Sequence, residues 1–251
     1  MFSKIKPTKN LHVTIFGENG LGKTSLAASF PDPVFLKLED GSKTIEMEHK
    51  NGLVNRDNVT FSQKINNVDE LYSVVNALLN ESLEYKTIVV DSVTKLDSIF
   101  TSQIIAASGK ESINRAFGGY GAGVSALFDM HVKFRNKLTE IANARQANVV
   151  YIAHADVKSI TPPDSEEYKK YVLRMNEKCF GVYIDEVDAV GFLRLNTYLR
   201  KHEGRETNTA LTDNKRKIIC YPTPNNMSKN RLGITQDLDF TIGENPFAGY
   251  L

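Results

Sequence analysis

The sequence predicts an α/β fold, a mostly parallel sheet flanked by helices, with a β-rich C-terminal extension. Three observations carry that expectation. Short β-branched runs alternate with helical patterns as far as about Ala155, the rhythm of strand–helix–strand units. Each run is apolar at nearly every position, as strands buried on both faces are. The first run leads through a glycine-rich loop straight into a helix, which is how such units join.

Taken in order, the strand candidates are Leu11–Phe16, Pro33–Leu38, Val59–Ser62, Thr87–Asp91 and Asn148–Ala153. Helix candidates lie between them at Lys23–Phe30, stopped by Pro31, and at Val68–Asn80, Val93–Ala107 and Gly123–Ala144. In the last, Val124, Leu127, Phe128, His131, Leu138, Ile141 and Ala142 fall on one face at the helical period. Beyond Ala155 a polar segment with Pro162-Pro163 leads to a hairpin strand at Tyr168–Met175 and a helix around Glu177–Asp185. Two β-like runs follow, Ala189–Tyr198 and Lys215–Tyr221. These either extend the same sheet or form a small appendage, and the sequence leaves both open. One domain over 1–251 is expected, with a core at 11–155, whose loop after the first strand is taken up below, and a β-rich part at 156–251.

Bulk composition narrows the function. With 31 Lys and Arg against 30 Asp and Glu, a uniformly basic nucleic-acid coat is excluded, so any such contact needs a local patch. Cys179 and Cys220 are too few for a disulfide framework and sit in no metal-ligand spacing. The opening MFSKIKPTKN has no apolar run behind its lysines, and no apolar stretch approaches membrane length. A soluble, cytoplasmic protein is expected, with no membrane partner.

Gly17-Glu18-Asn19-Gly20-Leu21-Gly22-Lys23-Thr24 fits G-x-x-x-x-G-K-[ST] in full, between a strand and a helix. Its glycines let successive N–H groups converge on an anion, and the helix N-terminus adds positive potential. The loop through Ser25 predicts an ATP site, with Lys23 on the β- and γ-phosphates and the Thr24 hydroxyl on magnesium. Asp91, where an apolar strand stops, is the candidate second magnesium partner, and it serves equally well as an N-cap for the next helix. Glu39, ending another strand beside Asp40-Gly41, is a candidate for handling water; by itself Glu-Asp-Gly reads as a solvated turn. His154 either contacts the γ-phosphate or caps its strand, and His131 reads as a core or rim histidine.

At this point the residues resemble the RecA-like P-loop ATPases, and among them the short, core-only RecA-like recombinases of phages, which anneal single strands. The resemblance spans about Leu11 to Ile234. It rests on GENGLGKT, the strand ending in Glu39, TIVVDS, the pair AFGGYGAG and NVVYIAHAD, and SKNRLG. It implies a RecA-like core in which Glu39 activates water, Asp91 is the magnesium-side acid and His154 is the sensor below a DNA-binding loop. Glu39 is preferred over Asp40, and the choice stays open.

The resemblance further makes Ser108–Ala122 and Asp156–Lys170 the two DNA-facing loops. It makes Lys229 and Arg231 a basic pair that reaches the ATP of a neighbouring subunit, where such a cation is worth about 10³–10⁵ in rate. Self-association into a ring or filament, single-stranded DNA and a single-strand-binding protein are the implied partners, in the cytoplasm of a bacterial host. Read alone, Lys229 and Arg231 are also ordinary surface charges. The stretch Lys215–Arg231 carries five cations and no acid, and Phe117, Tyr120, Tyr168 and Tyr171 are candidates for base stacking, at about 1–3 kcal/mol each. An ATP-gated annealing module with incidental hydrolysis and a hexameric helicase are the alternatives.

Overall fold

The structure is a computed structural model that describes residues 10–55, 57–80, 82–200 and 209–251. The lysine-bearing N-terminal segment discussed above lies, apart from Asn10, outside the described residues.

Strand β1 (His12–Gly17) has its apolar residues fully buried and is flanked by parallel neighbours on both sides, β5 (Asn148–Ile160) and β7 (Ala189–Arg200). Outward from β5 come β4 (Thr87–Asp91), β2 (Pro33–Lys37) and β3 (Thr60–Phe61), all parallel. Beyond β7 the direction alternates: β8 (Thr209–Ile219) runs antiparallel to β7, and β10 (Leu238–Phe240) antiparallel to β8. Two strands lie off this path, with β6 (Tyr168–Leu173) on β5 and β9 (Lys229–Asn230) on β7. The late β-rich segments therefore extend the main sheet.

Alternation sorts the side chains into two cores. Phe16, Ile88, Val90 and Tyr151 pack with helices α3 (Val68–Ala77), α4 (Val93–Ser108) and α5 (Ala122–Arg145) on one face. Val13, Ile15, Val89 and Val150 pack on the other, with α1 (Lys23–Ala28), α2 (Ser42–Lys50) and the C-terminal Phe240 and Phe247. Burial of this apolar surface is the main stabilising contribution to the fold. The one polar side chain on β1 that points inward, Thr14, donates to the Tyr183 carbonyl at 2.6 Å, so its burial leaves no orphan.

Several elements differ from the sequence expectation. Only the first half of β5 is buried; the strand continues to Ile160 because its exposed half pairs with β6, from Ala155↔Leu173 to Ile160↔Tyr168. The segment 156–170, expected as a second DNA-facing loop, is thus mostly an antiparallel hairpin. Helix α2 went unrecognised because Ile45 is its one buried apolar residue, too little for a visible period. The expected helix around 177–185 is a 3-10 helix over Glu177–Tyr183. On α5, Phe128 is exposed and Phe134 takes the core position. No helix among the described residues is long and apolar enough to cross a membrane.

Candidate active site

The carboxyl ends of β1, β2, β4 and β5 meet in one cleft, the place where open α/β sheets bind ligands. The loop after β1 turns through Gly20 and Gly22, both at positive φ, a conformation that favours glycine. Glu18, Asn19 and Gly20 form its exposed crest, while Leu21 anchors it in the core. Lys23, at the first position of α1, is buried; its ammonium donates to the carbonyls of Gly17 at 3.0 Å and Glu18 at 2.7 Å. Burial lowers its pKa to about 8, with the carboxylates of Asp91 and Glu39 working against that shift.

Thr24 and Asp91 come together from α1 and the end of β4. The Thr24 hydroxyl donates to Asp91 Oδ2 at 2.9 Å. Asp91 is buried, and burial pushes its carboxyl up to about 6 despite that hydrogen bond. A hydroxyl beside a buried carboxylate is a hard-oxygen donor pair that suits magnesium, so these residues fit the ion a P-loop site uses. Gly41 completes the cradle: a Cβ there would lie 2.8 Å from Thr24 Cγ2 and 3.1 Å from Asp91 Oδ2.

Glu39 follows β2 and turns into the same cleft. It accepts from the Ser92 hydroxyl, and His154 Nε2 lies 3.1 Å from its Oε2. These hydrogen bonds, His154 first, hold the Glu39 carboxyl down at about 2 against the effect of burial. Such a carboxylate is ionised throughout the physiological range and is a weak base, suited to aiming a water molecule. Asp40 also borders the cleft, but its carboxylate is held by Lys37 at 2.9 Å and by the Ser42 hydroxyl. Ser92 meanwhile caps α4 by accepting from Lys95 N, so the N-cap role weighed for Asp91 belongs to its neighbour.

A glycine-rich loop, a hydroxyl–carboxylate pair and a second, ionised carboxylate thus meet in one cleft. The sequence profile of the AAA domain matches residues 9–232, nearly the whole chain. This chain belongs to the AAA domain family. It is therefore a P-loop ATPase-type, nucleotide-binding domain. No curated protein matches the chain.

The AAA domain's cleft also gathers residues that the sequence did not disclose. Arg174, just after β6, and Arg216, on β8, both line it. The Arg216 Nε is buried and finds no partner among the described residues. Glu48 on α2 accepts from the Ser25 hydroxyl at 2.6 Å, and its other oxygen has no partner among the described residues. No local pattern marks these three, because each reaches the loop only through the packing of distant elements.

Other expected residues lie elsewhere. Lys229 donates to the carbonyls of Ile184 and Asp185, and Arg231 to that of Asp185; neither lines the cleft of its own chain. The five cations of 215–231 form no single patch. Val190, opposite Lys229, and Leu195, opposite Arg216, are separated by about 17 Å along β7, and Lys217 lies 3.6 Å from Asp237. His131 is a core residue, hydrogen-bonded to Tyr183 and Asp97.

Proposed function

We propose that this protein is a magnesium-dependent ATPase that binds single-stranded DNA and promotes its annealing or exchange as an assembly of subunits. The observation that carries the hydrolytic reading is the convergence of Lys23, the Thr24–Asp91 pair and the Glu39–His154 pair on one cleft. Loop amides and Lys23 bind and orient the triphosphate. Thr24 and Asp91 would hold magnesium, which neutralises charge on the β- and γ-phosphates. Glu39 aims the attacking water, and His154 fixes the orientation of that carboxylate.

Two features favour DNA as the partner. Tyr120 is fully exposed and Phe117 half-exposed, within the glycine-rich turn Phe117–Gly121. Aromatic rings presented this way stack on unpaired bases. The β5–β6 hairpin begins at Ala155, one residue after His154, so a shift of the Glu39–His154 contact passes into an exposed hairpin, whose Lys158, Lys169 and Lys170 are offset by Asp156, Asp164, Glu166 and Glu167. Lys229 and Arg231 lie off their own cleft, and to reach a neighbouring subunit's nucleotide they would leave the carbonyls of Ile184 and Asp185.

The test is the ATPase rate with and without single-stranded DNA for wild type and for Lys23→Ala, Tyr120→Ala and Arg231→Ala. Expected are stimulation by DNA, loss of all activity in Lys23→Ala, and loss of stimulation in the other two. An unstimulated rate that ignores Tyr120 and Arg231 would refute the DNA and assembly reading and leave an ATPase alone.

A further inference from the structure

Three side chains with metal-binding atoms meet in the core on the sheet face opposite α1, away from the phosphate loop. Asp97 on α4, His131 on α5 and Cys179 on the 3-10 helix Glu177–Tyr183 place a carboxylate oxygen, a ring nitrogen and a thiol sulfur within 4.8 Å of one another. His131 and Cys179 are fully buried, while the Asp97 side chain is 16% exposed, so the cluster has one edge toward solvent. The His131 ring is held from both ends. Its Nδ1 lies 2.8 Å from the Tyr183 hydroxyl and its Nε2 lies 3.1 Å from Asp97 Oδ1, with the Phe100 ring edge-on against it. No local spacing marks the group, because three elements far apart in the chain contribute its members.

We propose that Asp97, His131 and Cys179 bind a zinc ion. A thiolate, an imidazole and a carboxylate form a donor set that suits zinc, whereas magnesium takes hard oxygens. With bonds of about 2.0–2.1 Å to nitrogen and oxygen, a tetrahedral site has an edge of about 3.3 Å. The 3.1 Å between Nε2 and Oδ1 is close to that edge. The Cys179 sulfur needs a shift of at most about 1.3 Å to take the third corner, given a zinc–sulfur bond of about 2.3 Å. The ion replaces the hydrogen shared by Nε2 and Oδ1. Nδ1 then carries the ring proton and donates it to the Tyr183 oxygen, the kind of outer hydrogen bond that orients a metal-bound histidine. Cys179 releases its proton to solvent and binds as thiolate. Thiolate and carboxylate together balance the two charges of the ion, so the site is neutral, as a buried place requires. Water at the solvent edge beside Asp97 completes the coordination. The role is structural: the ion ties α4, α5 and the 3-10 helix into one unit, apart from the magnesium of the cleft.

The test is metal analysis of the untagged protein after zinc loading and gel filtration, with a cobalt titration followed by absorption. Wild type is expected to retain one zinc per chain in the presence of excess magnesium. Cobalt should give the thiolate charge-transfer band in the near ultraviolet and the strong visible bands of a tetrahedral site. Cys179→Ala should lose the charge-transfer band, Cys220→Ala should keep it, and Asp97→Asn should bind zinc at least about tenfold more weakly. Failure of wild type to retain zinc, a charge-transfer band that survives Cys179→Ala, or unchanged zinc affinity in Asp97→Asn each overturns the proposal. Asp97 is partly exposed, so its variant decides the matter even where Cys179→Ala does not fold.

Discussion

Replacing Asp91 with Asn separates what the site costs the fold from what it does. Burial raises the Asp91 carboxyl from 3.8 to about 6. One unit corresponds to about 1.4 kcal/mol, so the ionised carboxylate costs the native state roughly 3 kcal/mol in the absence of a cation. The sign follows from proton counting: between about pH 4 and pH 6 the native state binds more protons than the unfolded chain, so stability falls as pH rises through that window. Asp91→Asn removes the charge and keeps an oxygen that accepts from Thr24. At pH 8 with a chelator present, the variant is therefore more stable than wild type by up to about 3 kcal/mol. For a chain of this size that raises the melting temperature by at most roughly 6–12 °C. At pH 4 the two proteins melt together, and at every pH the variant loses magnesium-dependent nucleotide binding. Thermal melts at the two pH values decide the matter. A variant less stable than wild type at pH 8, or equally stabilised at both, refutes the account of Asp91 as a desolvated carboxylate awaiting a cation.

Nucleotide affinity in magnesium should be flat between about pH 6 and about pH 8. Below that range Asp91 takes up a proton, and above it Lys23 loses one; fluorescence titration should show a fall of about tenfold per unit on each side. Glu39→Gln keeps nucleotide affinity within about threefold and slows single-turnover hydrolysis by about 10²-fold or more, since only the water-facing step is touched. Gly41→Val pushes Thr24 and Asp91 apart, so the magnesium concentration for half-maximal nucleotide binding rises at least about tenfold; an unchanged titration would show that the cradle tolerates a side chain.

The Asp91 arrangement illustrates a wider feature of this cleft. Asp91, Glu48 and Lys23 are ionisable groups buried beside the loop, and Arg216 Nε and Glu48 Oε2 lack partners among the described residues. Buried polar groups without partners reduce stability, and they persist where a ligand supplies the missing contacts. A nucleotide with its cation should accordingly stabilise this fold strongly through its preferential binding to the native state.

The strand–loop–helix junction at Gly17–Lys23, the β4 strand ending at Asp91 and the turn of α5 were legible because each is encoded within a dozen residues. Local spacing sets the strand and helix periods, and the loop's glycines, lysine and threonine are neighbours in the chain. The same reading stopped at β5 too early, because an apolar run ends where burial ends, while the hydrogen-bonded ladder with β6 does not. It missed α2, whose buried face is a single isoleucine and a glutamate. It proposed one basic patch over 215–231, which the antiparallel path of β8, β7 and β9 divides. It left Glu39 and Asp40 unresolved, since only tertiary packing brings Ser92 and His154 to the first and turns the second toward Lys37. By itself, then, the sequence determined the parallel core, the phosphate loop and its two strand-end carboxylates. Tertiary structure alone decided which carboxylate pairs with His154 and Ser92, and which arginines line the cleft. Those depend on the packing of residues as far apart in the chain as Asn19 and Ile242, for which no local pattern exists.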